Sequence, residues 1–455
     1  MVQIDEKTYG LSKARLESLF DSGTFVEIGA YTKRADAQKE FESVVCGYGA
    51  VEGKLAFAFI QDSGRTRGAF GERHAKKIAS LYALATKNGA PVIGVFDSAG
   101  AVVYDGAEAL AAYGRLMKNI SDASGVIPQI AVIDGVCGGA SAVAAAMFDL
   151  TVTVKDRSQL FVNAPFVVGT ADSASAQGLS AYEAENEADA FAFVRELVSV
   201  LPQNNADCAM IETADDAGRA VSVDGSAYTV ESLVATLADD GKSIRLFEKY
   251  TDKAFLGFAS FGGVVSGIVA SNPATKGILD IKLARAAAKL ISFCDSFGVP
   301  VVTLVDSEGV DTSAEAENAA YASELARLAY AYTTSENAKL TVVIGKAYGS
   351  AFTLLGSKSV GADMALALPT ACVSVLSPEA SVAFVWNDKV AEKSREEVEA
   401  EWKETCASAA NAVDAGEIDD IVDPSELRAR ISSALNMLIA KAEGAPARRH
   451  ANLPL

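Results

Sequence analysis

The feature that most constrains the fold is an internal repeat. The stretch GAPVIGVFDSAG at residues 89–100 reappears as GVPVVTLVDSEG at residues 298–309. Each copy is a short apolar run ending in Asp-Ser-x-Gly, which is typical of a buried parallel strand followed by a tight turn. A helix-like stretch precedes each copy, at residues 71–88 and 281–297, and ends at a glycine suited to a helix C-cap.

The repeat continues beyond these strands with matched spacing. A second apolar run follows in each copy and leads through a glycine, Gly135 or Gly345, into a turn of small residues. Asp97 lies 38 residues before Gly135, and Asp306 lies 39 residues before Gly345. Similarity at two places with nearly the same spacing indicates two copies of one structural unit.

The order of these elements predicts an α/β protein with two similar domains. Strand, helix, strand, small-residue turn and helix form a layout with right-handed crossovers. The Pro- and Asn-containing stretch at 201–205 ends a long helix, and a turn is expected at 224–227. We therefore place one domain at residues 1–215 and a second at residues 216–455.

Charge and histidine content exclude several functions. The chain has 40 Lys and Arg against 59 Asp and Glu, a net charge of −19, so it is a poor nucleic-acid binder. Only His74 and His450 are present, which excludes a multi-histidine metal site, and we predict no metal. The six cysteines form no C-x-x-C pair, and no secretory signal opens the sequence, so we expect a reduced, cytoplasmic protein.

Turns of small residues after the second strands are candidate anion sites. A strand that runs through small residues into a helix leaves backbone N–H groups free to bind an oxyanion. Gly139 and Ala140 lie in the first turn, and Ser350 and Ala351 lie in the second. Such a site could hold an enolate without any acidic side chain. The alternative is that the small residues only allow close packing of strand and helix.

A basic cluster precedes the first strand. Five of the 40 basic residues, Arg65, Arg67, Arg73, Lys76 and Lys77, fall within 13 positions. On an acidic chain this density indicates a phosphate-bearing ligand. A solvated helix face would explain the two lysines equally well.

Four serines at the strand ends raise the alternative of nucleophilic catalysis. Ser98, Ser141, Ser307 and Ser350 occupy these positions, and Lys346 could act as the base for Ser350 four residues later. Nothing in the sequence marks either residue of that pair as desolvated.

With the repeat, the turns and the basic cluster in place, the chain resembles the carboxyltransferase subunits of biotin-dependent acyl-CoA carboxylases and decarboxylases. It looks like a subunit of the propionyl-CoA carboxylase beta or methylmalonyl-CoA decarboxylase alpha type. The likeness covers nearly the whole length. It is carried by residues 11–27, 71–77, 124–130, 257–263, 293–297, 346–349 and 448–455.

The resemblance implies a fold, an assembly and site residues. The fold is a tandem pair of crotonase-like β-β-α spirals, and the assembly is a homohexamer with active sites shared between neighbouring chains. The N–H groups of Gly139 and Ala140 would hold the thioester enolate on the acyl-CoA side, and those of Ser350 and Ala351 the biotin ureido oxygen. Neighbouring glycines are predicted to line these sites: Gly100, Gly138, Gly309 and Gly349.

The sequence departs from the family pattern at the two Asp-Ser-x-Gly loops. Val102 stands where the family has an arginine, and Glu308 stands where it has a proline. These departures motivate the alternative of a catalytically degenerate scaffold subunit. A Ser/Lys peptidase of the same fold is a further alternative.

The resemblance also implies partners. The chain has no biotinylation signal and no P-loop, so biotin is expected on a separate biotin carboxyl carrier protein. A biotin carboxylase or a membrane-bound carboxybiotin decarboxylase would supply or consume the carboxyl group, and the chain would be cytoplasmic or peripheral to a membrane complex. The substrate is expected to be an acyl-CoA thioester of the malonyl or methylmalonyl type.

Overall fold

The chain forms two compact units, Met1–Asp207 and Cys208–Leu455. The computed structural model describes residues 6–33, 41–169, 172–223 and 228–441. The turn expected at 224–227 and the matching C-terminal stretch 448–455 lie outside the described residues. The domain boundary at residue 215 stays a prediction.

The first unit is built on one eight-stranded sheet. Its strands are β1 (Val26–Ile28), β2 (Val44–Val51), β3 (Lys54–Gln61), β4 (Val92–Ser98), β5 (Gln129–Gly138), β6 (Leu150–Val154), β7 (Gln159–Phe161) and β8 (Tyr182–Ala184). The order is β1-β2-β3-β4-β5-β6-β8, and β7 pairs with the end of β5. The pairs β1–β2 and β2–β3 are antiparallel, and all the others are parallel.

Six helices accompany this sheet in the part of the first unit that the structure describes. They are α1 (Glu6–Glu17), α2 (Glu72–Asn88), α3 (Ala107–Ala123), α4 (Ala140–Ala146), α5 (Pro165–Val168) and α6 (Glu187–Val200). Helix α2 ends at Gly89, which is left-handed with φ +62° and donates its N–H to the last turn. The helix expected at 71–88 and its glycine stop are therefore both present.

The second unit repeats the sheet. Its strands are β9 (Ser243–Leu246), β10 (Ala254–Phe261), β11 (Val264–Ser271), β12 (Val301–Ser307), β13 (Lys339–Tyr348), β14 (Met364–Ala367), β15 (Cys372–Ser374) and β16 (Asp420–Ile421). The order β9-β10-β11-β12-β13-β14-β16, with β15 on β13, matches the first sheet strand for strand. The antiparallel pairs again lie at the start of the order.

Nine helices belong to the described part of the second unit. They are α7 (Val230–Leu237), α8 (Ile281–Ser296), α9 (Ala314–Asn318), α10 (Tyr321–Thr334), α11 (Gly349–Leu354), α12 (Pro378–Val385), α13 (Arg395–Cys406), α14 (Ala409–Asp414) and α15 (Leu427–Leu438). Asp280 caps α8 by accepting the Leu283 N–H at 2.7 Å.

Burial explains why the repeated runs read as continuous apolar stretches. In β4 and β12 every residue is buried except the aspartate, because parallel strands are covered on both faces. Phe59, Phe96 and Phe148 pack edge to face in the first core with ring centroids 5.5 Å apart. Within the described residues, no helix is both long enough and apolar enough to span a membrane.

Candidate functional site

Both repeated aspartates lie at an irregularity in the sheet. The register of β4 on β5 shifts between Phe96 and Ser98, and the register of β12 on β13 shifts between Val305 and Ser307. A bulge of this kind re-aims the intervening side chain. The aspartate carboxylates therefore turn towards the next strand.

Each carboxylate accepts hydrogen bonds from the neighbouring strand end. The Asp97 carboxylate accepts the Val136 N–H at 3.2 Å. The Asp306 carboxylate accepts the Lys346 N–H at 2.9 Å and the Tyr228 hydroxyl at 2.8 Å. These aspartates hold the turns in place, and their oxygens are engaged by the protein.

Close glycine contacts explain part of the repeat. A Cβ on Gly135 would overlap the Asp97 carboxylate, and one on Gly345 would lie 2.7 Å from the Asp306 carboxylate. A second pair of glycines, Gly68 and Gly277, packs in the same way on the two aspartate carbonyls, where a Cβ would overlap the oxygen. The repeated glycines thus keep the strand ends together.

The serines after the aspartates bond to backbone. The Ser98 hydroxyl donates to the Gly68 carbonyl at 2.7 Å and accepts the Gly100 N–H at 3.1 Å. The Ser307 hydroxyl accepts the Gly309 N–H at 3.3 Å. Gly100 and Gly309 have φ of +109° and +133°, so both turns use backbone that favours glycine.

The turn after β5 differs from the prediction at one position. Gly139 has φ +60° and precedes α4, but its N–H already donates to the Phe161 carbonyl at 2.9 Å. Ala140 and Ser141 follow, and no described residue accepts their N–H groups. The Gly139 amide is thus engaged because β7 pairs with the end of β5, which leaves Ala140 and Ser141 as the adjacent pair of free amides. The site role expected for Gly139 and Ala140 stays a prediction.

The turn after β13 has the same shape. Gly349 also has φ +60°, and Ser350 and Ala351 follow it at the start of α11. Among the described residues none accepts the N–H of Ser350 or Ala351. Gly349 thus corresponds to Gly139, and Ser350 and Ala351 correspond to Ala140 and Ser141.

Gly138 has a packing role. A Cβ at this position would lie 2.7 Å from the Phe161 ring, so glycine is needed for β7 to close on β5. This contact favours the packing interpretation for Gly138. The N–H groups of Ala140 and Ser141 remain free to bind an oxygen.

The basic cluster divides into exposed and interior residues. Arg67, Arg73 and Lys76 are exposed. Arg73 donates to the Lys33 carbonyl at 2.8 Å, and Lys76 lies 3.1 Å from the Glu72 carboxylate. These three side chains remain able to meet a phosphate.

Two members of the cluster point into the protein. The Lys77 side chain is 4% exposed, donates to the Val44 carbonyl at 2.7 Å and lies 3.9 Å from the Glu27 carboxylate. The Arg65 side chain is 10% exposed and lies 3.4 Å from the Asp62 carboxylate. The Lys77 ammonium is engaged inside the unit, which counts against a phosphate contact at this residue, and its binding role stays a prediction.

The geometry also bears on the serine nucleophile. The Ser141 hydroxyl donates to the Tyr113 hydroxyl at 3.0 Å. Lys346 Nζ donates to Glu308 Oε1 at 2.6 Å, and this hydrogen bond raises the pKa of Lys346 above its ordinary value. A lysine base must be neutral to take a proton, so this pairing disfavours a Ser/Lys mechanism.

Sequence reasoning missed Lys276, although a signal existed. Thr66-Arg67-Gly68 reappears as Thr275-Lys276-Gly277, upstream of the repeated strands. Arg67 and Lys276 both have positive φ, of +56° and +61°. The Arg67 carbonyl accepts the Ala99 N–H, and the Lys276 carbonyl accepts the Glu308 N–H, each at 2.9 Å. A basic side chain therefore stands beside each Asp-Ser-x-Gly loop.

Comparison with known proteins agrees with this geometry. The carboxyl transferase domain model matches residues 10–453. The methylmalonyl-CoA decarboxylase subunit alpha of Veillonella parvula is 33% identical over 475 residues, covering 98% of this chain and 93% of the relative. The propionyl-CoA carboxylase beta chain of Saccharopolyspora erythraea is 32% identical over 492 residues, covering 98% of this chain and 90% of the relative.

A solved structure extends the comparison to the fold. A transcarboxylase 12S hexamer, crystallised with methylmalonyl-CoA and methylmalonic acid bound, superposes with a TM-score of 0.92 at 30% identity. The match covers 99% of this chain and 94% of that one, and it confirms the tandem crotonase-like fold. The chain therefore belongs to the carboxyl transferase domain family and is a biotin-dependent acyl-CoA carboxyltransferase.

Proposed function

We propose that the chain moves a carboxyl group between biotin and the α-carbon of a malonyl- or methylmalonyl-type acyl-CoA, through an enolate held by backbone amides. The observation that carries this proposal is the turn repeated in both units, where Ala140 and Ser141, and Ser350 and Ala351, have N–H groups without acceptors among the described residues. Two donors aimed at one oxygen are what a thioester enolate requires.

The chemistry needs little from side chains. When the bond between the α-carbon and the carboxyl group breaks, its electron pair passes into the thioester and charge gathers on the carbonyl oxygen. The Ala140 and Ser141 amides would stabilise that charge in the first unit. The α-carbon gains the proton that the accepting nitrogen gives up, so the exchange balances.

The second turn fits the ureido oxygen of biotin. Small residues let an oxygen approach the backbone, and Ser350 and Ala351 would donate to it. Biotin supplies a ureido nitrogen that accepts or releases the carboxyl group. A separate biotin carboxyl carrier protein would present it, with a biotin carboxylase or a membrane carboxybiotin decarboxylase as the further partner.

The exposed basic residues of the first unit would form the binding site for the acyl-CoA. Arg67, Arg73 and Lys76 offer positive charge on an otherwise acidic chain and would meet the phosphates of the CoA moiety. Assembly into a homohexamer is part of the proposal, as in the transcarboxylase 12S structure.

A proline at Ala140 tests the amide donors. Proline lacks an N–H yet is tolerated at the first position of a helix, where Ala140 lies. We expect Ala140→Pro to lower kcat for carboxyl transfer from methylmalonyl-CoA to free biotin by about 10²–10³. Ala140→Ser keeps the N–H and should stay close to wild type.

Two results would count against the proposal. Full activity of Ala140→Pro, with an unchanged circular dichroism spectrum, would remove the amides from the mechanism. Calorimetric titration with methylmalonyl-CoA separates an enzyme from a degenerate scaffold subunit, because a pure scaffold should show no binding heat.

A further inference from the structure

Three charged side chains meet at the loop that follows β12. Glu308 Oε1 accepts from Lys346 Nζ at 2.6 Å, and Glu308 Oε2 lies 3.3 Å from Lys276 Nζ. The glutamate side chain is 28% exposed, whereas the two lysines are 51% and 68% exposed. One carboxylate is therefore shared by two ammonium groups that both reach solvent.

The backbone fixes all three residues at the same end of the sheet. The Glu308 N–H donates to the Lys276 carbonyl, and the Lys346 N–H donates to the Asp306 carboxylate, each at 2.9 Å. Lys346 lies three residues before Gly349, where the turn with unpaired amides begins. The two lysines are thus placed at the strand ends that lead to the proposed biotin-side donors.

The fold does not require this cluster. In the first unit the residue matching Glu308 is Ala99, which carries the same hydrogen bond to Arg67, and the residue matching Lys346 is Val136. The ion pairs can be absent without loss of the turn. Their presence in one unit only points to a role in that unit's chemistry.

The lysines favour the ionised form of Glu308, and two ammonium groups face this single carboxylate. Burial alone would raise the pKa of Glu308, but the hydrogen bonds and charges of Lys346 and Lys276 outweigh it and lower that pKa. Asp306 and Glu379 also act on Lys346, and the Asp306 oxygens are already engaged by Tyr228 and a backbone amide. Each ammonium keeps further N–H donors beyond the one that faces Glu308.

We propose that Lys276 and Lys346 hold the carboxylate being transferred in the second unit, and that Glu308 occupies their ammonium groups when no such carboxylate is bound. The bridging glutamate demonstrates that the space between the two lysines accommodates a carboxylate. This inference rests on the proposed function, because it assigns these residues to the biotin side of the transfer. The two lysines would contact the transferred carboxylate directly, through their positive charge.

Binding of methylmalonate, a small dicarboxylate, tests the site without catalysis. Removing the competing charge in Glu308→Gln should tighten binding about tenfold in calorimetry at low ionic strength. Adding Lys276→Gln and Lys346→Gln to that variant should abolish the gain. Lys242→Gln, at a lysine 83% exposed elsewhere in the second unit, is the control and should change nothing. Equal affinities of wild type and Glu308→Gln would overturn the inference.

Activity supplies a second readout through the sign of the effects. With carboxybiotin as the carboxyl donor, Glu308→Gln should lower KM for carboxybiotin several-fold, because carboxybiotin carries the carboxylate that the lysines would hold. Lys346→Gln should raise that KM, and Lys346→Arg should restore it. The Kd of the acceptor acyl-CoA, which lacks that carboxylate, should not change. A purely structural ion pair predicts losses of the same sign in Glu308→Gln and Lys346→Gln, which would overturn the inference.

The proposed function and the assignment of the two lysines are contradicted by different results. A wild-type chain that transfers no carboxyl group to biotin contradicts the proposed function. An active wild type whose lysine variants keep normal KM values and methylmalonate affinity contradicts only the assignment of Lys276 and Lys346.

Discussion

The turn at Asp97 and the turn at Asp306 are built alike but carry different side chains. Both have a sheet bulge, an inward carboxylate and two glycines packed on the aspartate. Around Asp97, the loop residue is Ala99 and the exposed cation is Arg67. Around Asp306, the corresponding positions hold Glu308 and Lys276 in an ion pair.

This comparison separates two kinds of constraint. The glycines that pack on the aspartate carbonyl or carboxylate are the same in both units, since a Cβ there would collide with the aspartate. Positions that face outward have diverged. We infer that the duplicated part of the sequence encodes the scaffold, whereas the diverged part adapts one unit to acyl-CoA and the other to biotin.

The largest expected effect comes from filling the shared glycine contacts. Gly68→Ala and Gly277→Ala each combine a left-handed φ with a Cβ that overlaps the aspartate carbonyl. We expect each to cost about 3 kcal/mol, or a melting temperature lowered by about 6–12 °C. Gly53→Ala and Gly298→Ala have similar φ but open space, and should cost only about 1 kcal/mol. Equal falls in melting temperature for the contact and control variants would show that the aspartate carbonyl does not require glycine beside it.

The next effect should appear in the second unit alone. Tyr228→Phe removes the hydroxyl that donates to Asp306 at 2.8 Å. A lost hydrogen bond to a charged group predicts a destabilisation of about 1–2 kcal/mol, measured as a lower melting temperature. Tyr104→Phe, at a fully exposed tyrosine of the first unit, serves as the control. No difference between the two variants would mean that the backbone donor alone holds Asp306.

A smaller effect is expected from the exposed cations of the first unit. Arg67→Gln and Lys76→Gln should each raise the Kd of methylmalonyl-CoA about two- to fivefold, with less effect at high salt. The matched variant Lys118→Gln, at a lysine 73% exposed on α3, should leave the calorimetric Kd unchanged. A comparable loss in this control would indicate a general charge effect in place of a binding site.

The smallest effect is predicted for Ser350→Ala. The substitution removes the hydroxyl and keeps the backbone N–H, so kcat for carboxyl transfer should change less than about twofold. Steady-state kinetics provide the check. A loss of a hundredfold or more would revive the serine nucleophile and contradict the use of the amide.

Most of the fold could be predicted from local sequence patterns. The apolar runs and their Asp-Ser-x-Gly ends identified β4 and β12, and the glycine after residue 88 identified the end of α2. Both sheets could be anticipated because their central strands are contiguous in sequence with their turns. The family resemblance then supplied the tandem spiral fold.

Contacts between distant residues explain what the sequence did not reveal. Gly139 looked like a donor because nothing nearby indicates that the Phe161 carbonyl, 22 residues later, accepts its N–H. Lys77 looked like a phosphate ligand, but its position in α2 turns it towards Val44 in the core. Tyr228 gave no signal at all, since its partner Asp306 is 78 residues away.

The amides of the two repeated turns have a consequence for acidity. A peptide N–H does not gain or lose a proton in the pH range where proteins are stable, and His74, the one histidine among the described residues, is fully buried. The donors at Ala140, Ser141, Ser350 and Ala351 therefore keep the same strength in mildly acidic and mildly alkaline solution. Any pH optimum of the reaction should accordingly follow the ionisation of the substrates, with little contribution from the amides proposed to hold the enolate.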